Sequence, residues 1–64
     1  MYTIKQCRKF ARMSVKQTAK ELGISVNRYK KIERYAIEMS IAEGCYFSDI
    51  TGISINKIFF TKNI

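Results

Sequence analysis

Residues 14–34 read SVKQTAKELGISVNRYKKIER: two helix-like halves hinged on a lone glycine, Gly23, with six of the chain's twelve lysines and arginines among them. In the first half, Val15, Thr18, Ala19 and Leu22 recur at helical spacing and form an inward stripe. Ser14 with Gln17 fits a capping box, in which a hydroxyl and the side chain three residues on satisfy orphan backbone amides reciprocally. Gly23 then closes the helix, because glycine enters the left-handed conformation at the lowest steric cost. Ser25 is the N-cap of the second half. There Tyr29, Ile32 and Ala36 face inward, while Asn27, Lys31 and Arg34, at i, i+4 and i+7, face water. The small Ala19 lets the halves approach, Ile24 plugs the turn, and Tyr29 and Ile32 pack the second helix across the first. The stretch predicts helices over 15–22 and 26–35 meeting at a tight turn, the second showing a polar and cationic outer face.

Outward from this stretch the same signals recur. Thr3-x-x-Gln6 starts a helix over 4–12, with Ile4, Cys7 and Ala11 on one face and Lys5, Lys9 and Arg12 on the other. Ser40-x-x-Glu43 starts a less regular helix over 41–51, in which Ile41, Cys45 and Ile50 are apolar and Gly44, Ser48 and Thr51 interrupt. It stops near Gly52. Ser54 is the N-cap of a short helix over 55–59 carrying Ile55, Ile58 and Phe59, and the chain finishes in a short apolar tail. No linker or repeat divides the 64 residues, so the expected fold is a single all-α domain over 1–64, a compact bundle of about five short helices. A domain of this size buries only about 60% of the surface its unfolded chain exposes, so a partner subunit would help it.

The charge is unevenly placed. Residues 1–35 carry ten lysines and arginines against Glu21 and Glu33, whereas residues 36–64 carry two against Glu38, Glu43 and Asp49, within a total of +7. One half is suited to a polyanion and the other, rich in Ile and Phe, to protein packing. At 47% apolar residues the chain is too apolar for disorder, and it lacks the roughly 18 unbroken apolar residues of a membrane span. Polar residues where a secretory h-region would be continuous place it in the cytosol, as a bacterial cytosolic or nucleoid-associated protein.

With no histidine and only Cys7 and Cys45, no zinc site or disulfide framework assembles within one chain, and both cysteines read as reduced core residues on apolar helix faces. The five carboxylates are scattered and neither cysteine has an imidazole to activate it, so no enzyme, metal, cofactor or small-molecule ligand is expected.

Two helices at this spacing, one bracing the other so that an outer face meets a major groove, make a helix-turn-helix. Here the chain resembles the Cro and phage-repressor (XRE-type) helix-turn-helix family, from about Ile4 to Phe59. The residues that carry the resemblance are Cys7-Arg8, Met13-Ser14, Thr18-Ala19, Leu22-Gly23-Ile24-Ser25, Ile32-Glu33-Arg34, Gly52-Ile53-Ser54-Ile55 and Ile58-Phe59. The resemblance implies a five-helix bundle whose third helix reads bases, and a regulator of transcription that acts as a dimer on a two-fold operator. It also implies a structural ion pair between Arg8 and Glu33. Four departures stand out: Val15 where many relatives place a phosphate-gripping glutamine, Val26 where they place a glutamine or arginine, Tyr35 for a glycine and Met39 for a proline.

On this reading Asn27 pairs with adenine, Lys31 or Arg28 donates to guanine, and Val26 touches a thymine methyl. Lys16, Gln17, Lys20, Lys30 and Arg34 hold phosphates, which fixes register without reading sequence. Lys5, Lys9 and Arg12 are solvated. Tyr29, Tyr35 and Tyr46 are packing residues with hydroxyls at the surface. Ile58, Phe59, Phe60 and Ile64 form a homodimer seam, explaining the surplus of apolar tail. The expected function is sequence-specific binding of double-stranded DNA, as a Cro-like repressor of a phage or mobile element acting on a palindromic operator. The apolar Val15 and Val26 leave a second class open, an antirepressor or other interaction module that keeps the scaffold without binding DNA.

Overall fold

A computed structural model describes residues 1–61. The chain runs β1 (Tyr2–Thr3), α1 (Ile4–Phe10), α2 (Val15–Leu22), α3 (Val26–Glu33) and α4 (Ile41–Thr51), then a 3-10 turn (Ile55–Lys57) and β2 (Ile58–Phe59). Four α-helices with a small strand pair replace the five helices of an all-α bundle. The expected helices over 4–12 and 26–35 end early, and 55–59 is not a helix: one 3-10 turn there gives way to a strand that pairs parallel with β1, Tyr2 opposite Ile58 and Thr3 opposite Phe59.

The starts of the helices follow the side-chain chemistry. Thr3 and Ser40 make full capping boxes with Gln6 and Glu43. Ser14 and Ser25 accept from the amides of Gln17 and Arg28, but Gln17 does not return the bond, and Ser54 makes no side-chain cap.

The ends share a hydrogen-bond scheme. After α2, the Ile24 amide donates to the Ala19 carbonyl at 3.0 Å and the Gly23 amide to Lys20 at 3.1 Å, with Gly23 left-handed at φ 71°. The same paired bonds close α1 around Arg12 at φ 58° and α3 around Tyr35 at φ 63°. Residues with side chains thus occupy two positions that suit glycine, at a cost of roughly 1–2 kcal/mol each. Tyr35 offsets its cost: its hydroxyl accepts from the Ile4 amide at 3.2 Å and donates to the Phe59 carbonyl at 2.6 Å, tying α1 to β2. Ending α3 at Glu33 also leaves Ala36 exposed, not inward.

The core joins the four helices and β2. Ile4 and Cys7 come from α1, Thr18 and Ala19 from α2, Tyr29 and Ile32 from α3, Phe47 from α4 and Ile58 from β2. The buried Thr18 hydroxyl donates to the Ser14 carbonyl at 2.8 Å, so no polar group is left stranded there. α2 packs chiefly on α3 and then α4, while α1 packs on α3, α4 and β2. On α4 the inward positions are Gly44 and Phe47, so Ile41 (90% exposed) and Cys45 turn to water, against the expectation that Cys45 is a core residue. No helix among the described residues is long and apolar enough to cross a membrane.

Candidate nucleic-acid interface

Gly23, Ile24 and Ser25 join α2 to α3, and this junction positions the cationic side chains. Thr18 and Ala19 on α2 and Tyr29 and Ile32 on α3 are buried between the elements, which turns the remaining faces outward. Asn27, Lys30, Lys31 and Arg34 are all exposed on α3 or at its end, and Lys16, Gln17 and Lys20 are exposed on α2. None of these seven side chains is engaged in a hydrogen bond or ion pair among the described residues. An amide of this kind can pair with adenine's donor and acceptor, and flexible ammonium and guanidinium groups can meet phosphate.

Two of the residues expected to touch bases are also engaged within the chain. Val26 is half-buried and packs against the core, so little of it is offered to a thymine methyl. Val15 is packed the same way. Arg28 turns across to α4, where Nε donates to Glu43 Oε2 at 3.2 Å and Nη2 to Oε1 at 3.0 Å. Its side chain keeps 42% of its exposure while that of Glu43 keeps 15%. Glu43 Oε1 also accepts from the Ser40 amide at 2.8 Å. The hydrogen bonds from Arg28 come first in holding the Glu43 carboxyl below its ordinary range; partial burial opposes them and the Ser40 bonds assist.

Behind the interface, Arg8 on α1 grips Glu33 at the end of α3, through Nε to Oε2 at 2.8 Å and Nη2 to Oε1 at 3.1 Å. Arg8 Nη1 donates to the Met13 carbonyl at 2.9 Å, so the fork also pins the α1–α2 connection. Both side chains are mostly covered. Burial alone would raise the Glu33 pKa, but the bonds from Arg8, the Tyr29 hydroxyl beside it and the charges of Arg8 and Lys5 outweigh burial, and the net direction is down. Tyr29 is buried whole, not with its hydroxyl at the surface, and the hydroxyl makes no hydrogen bond of good geometry. Burial first, then the Glu33 carboxylate, push its pKa up.

The apolar residues expected to form the dimer seam separate. Ile58 is 3% exposed in its own chain's core, Phe59 and Phe60 are half-buried, and Ile64 lies outside the described residues. A groove of about 250 Å³ lies instead beside the start of α4, lined by Met39, Ser40, Ile41, Gly44, Cys45, Ile55 and Phe60. A Cβ at Gly44 would stand 3.3 Å from Phe60 Cε1, so the absent side chain gives that ring its seat. No three of His, Cys, Asp and Glu gather closely enough among the described residues to hold a metal ion.

Sequence reading missed the second use of Glu43 and the clasp at Tyr35. Capping accounted for Glu43, and no local pattern says that Arg28 lies across from it. Compared with protein-family models, curated proteins and solved structures, the chain matches none at a significant level.

Proposed function

We propose that this chain is a helix-turn-helix regulator of transcription that binds double-stranded DNA in a sequence-specific way, a Cro-like repressor acting as a homodimer on a palindromic operator. One observation carries the reading: Asn27, Lys30, Lys31 and Arg34 stand unpaired along one short helix that is braced from behind by α2 and by the Arg8–Glu33 fork. Its length of eight residues suits insertion of the first turns into a major groove. Lys16, Gln17 and Lys20 flank it and hold the phosphates on either side, while Asn27 and Lys31 read bases. The Cro-like residue pattern noted in the sequence supports the same assignment.

Pairing of two copies uses the groove at Met39, Ile41, Cys45, Ile55 and Phe60, which keeps Phe60 of the expected seam and adds the start of α4. No lysine or arginine lines the groove and Lys57 is the one cation between residues 36 and 60, so two copies of a +7 chain meet there with little opposing charge. Repression follows from occupancy alone, since a bound dimer excludes other proteins from the same DNA.

Titration of random-sequence and selected duplexes at several salt concentrations tests this. Four cationic phosphate contacts per protomer give a slope of log affinity against log salt of about −3 to −4 per protomer. Asn27→Ala should relax base preference at one position in each half-site, whereas Lys20→Ala should weaken all duplexes about equally. The competing reading, an antirepressor or other interaction module, draws on the 90% exposed Ile41. It expects no duplex preference at any salt concentration.

A further inference from the structure

Within this DNA-binding reading, the Arg28–Glu43 pair is the feature that groove contact by free cations leaves unexplained. An arginine kept only for phosphate affinity loses value when a carboxylate cancels its charge, and Glu43 already has a task in capping α4. A guanidinium has five N–H donors, of which the pair with Glu43 uses two. The remaining donors have no acceptor among the described residues, and 42% of the side chain stays exposed. Glu43 is itself immobilised, by its cap bond to Ser40 and by its position in the first turn of α4. The two bonds to Glu43 therefore hold the guanidinium against the first turn of α4 before any ligand arrives.

We propose that Glu43 is a positioning residue that holds Arg28 as a preset reader of a guanine edge, whose N7 and O6 form a pair of acceptors in the major groove. A charge-neutralised fork gains little from a phosphate, which rewards net charge, and more from a base edge, which rewards geometry. Fixing the side chain in advance also removes the rotamer entropy that a free arginine loses on binding. The role differs from those of Lys30, Lys31 and Arg34, which carry no internal partner.

Glu43→Gln isolates the role, because glutamine retains one oxygen as cap acceptor for the Ser40 amide and loses the charge and the second oxygen that grip Arg28. Binding to a library of duplexes, read as a base-preference matrix, should lose its guanine preference at one position per half-site by roughly tenfold. The thermal midpoint of the free protein serves as the folding control. Arg28→Ala should lose the same preference at the same position, and the double variant no more than Arg28→Ala alone. Arg28→Lys keeps a charge without the fork and should also lose it, whereas a phosphate contact would survive that change.

An unchanged matrix for Glu43→Gln, with the wild-type chain binding duplex, overturns the proposal and leaves the pair as a tie between α3 and α4. Tighter binding of every duplex by Glu43→Gln also overturns it, since the carboxylate would then be masking Arg28. Failure of the wild-type chain to bind any duplex removes the DNA-binding reading itself, and the proposal with it.

Discussion

Arg12 and Tyr35 occupy the same left-handed conformation for different returns. Arg12 closes α1 through its backbone alone, with its side chain exposed, so Arg12→Gly should relieve strain and stabilise the protein by about 0.5–1 kcal/mol net of glycine's entropy cost. Tyr35 draws two hydrogen bonds from its hydroxyl, so Tyr35→Phe should destabilise by about 2 kcal/mol by stranding the Ile4 amide and the Phe59 carbonyl. Thermal melts of the two variants should move in opposite directions. Glu33 and Glu43 both ionise more readily in the folded chain. The stability they supply is therefore fully present above about pH 4.5 and is lost as pH falls through their lowered folded values. Melting points measured from about pH 7 to pH 3 should decline accordingly, and Glu33→Gln should flatten part of the decline while lowering the value at neutral pH. Arg8 and Glu33 were legible as partners from the family resemblance. Arg28 and Glu43 were not, because a bond between separate helices leaves no mark in local spacing.

Helix starts were legible and helix ends less so, for a physical reason. A cap is a side chain within three residues of its target, and four of the five expected N-caps make that bond. Ends depend on which residue takes the left-handed turn, and glycine is only the cheapest choice, so α1 and α3 stop earlier than their polar periodicity suggested. At Gly23 the backbone alone decides. A Cβ there would meet nothing within 4 Å, so Gly23→Ala should cost about 1–2 kcal/mol from the left-handed φ and none from collision. Chemical denaturation should show that loss with an unchanged slope, since the folded contacts are the same. The segment 55–59 was misread because Ile55, Ile58 and Phe59 recur at helical spacing, while a strand of two residues is too short to show its own alternation. Its partner, β1, is at the other end of the described chain. On α4 Cys45 lay on an apolar face, yet the positions that turn inward are Gly44, with Phe60 seated over it, and Phe47, which leaves Cys45 exposed.

For the molecule as a whole, the charge split read from composition carries into the fold: exposed cations lie on α1, α2 and α3 and at their ends, and the apolar groove lies beside α4. Ile41→Asp adds a charge at a 90% exposed position, so it should leave the melt of dilute protein nearly unchanged. It should nonetheless abolish self-association in sedimentation, if the groove is where copies meet. A seam confined to the tail would leave the sedimentation of that variant the same as wild type. The ribbon of Tyr2–Thr3 with Ile58–Phe59, locked by the Tyr35 hydroxyl, has a consequence in time as well as in space. Helices α2 and α3 are neighbours in the chain and can dock early, but this ribbon must wait until nearly every intervening residue has been gathered. Because it closes the longest loop, the ribbon is expected to form after those helices dock, and weakening it should speed unfolding more than it slows folding.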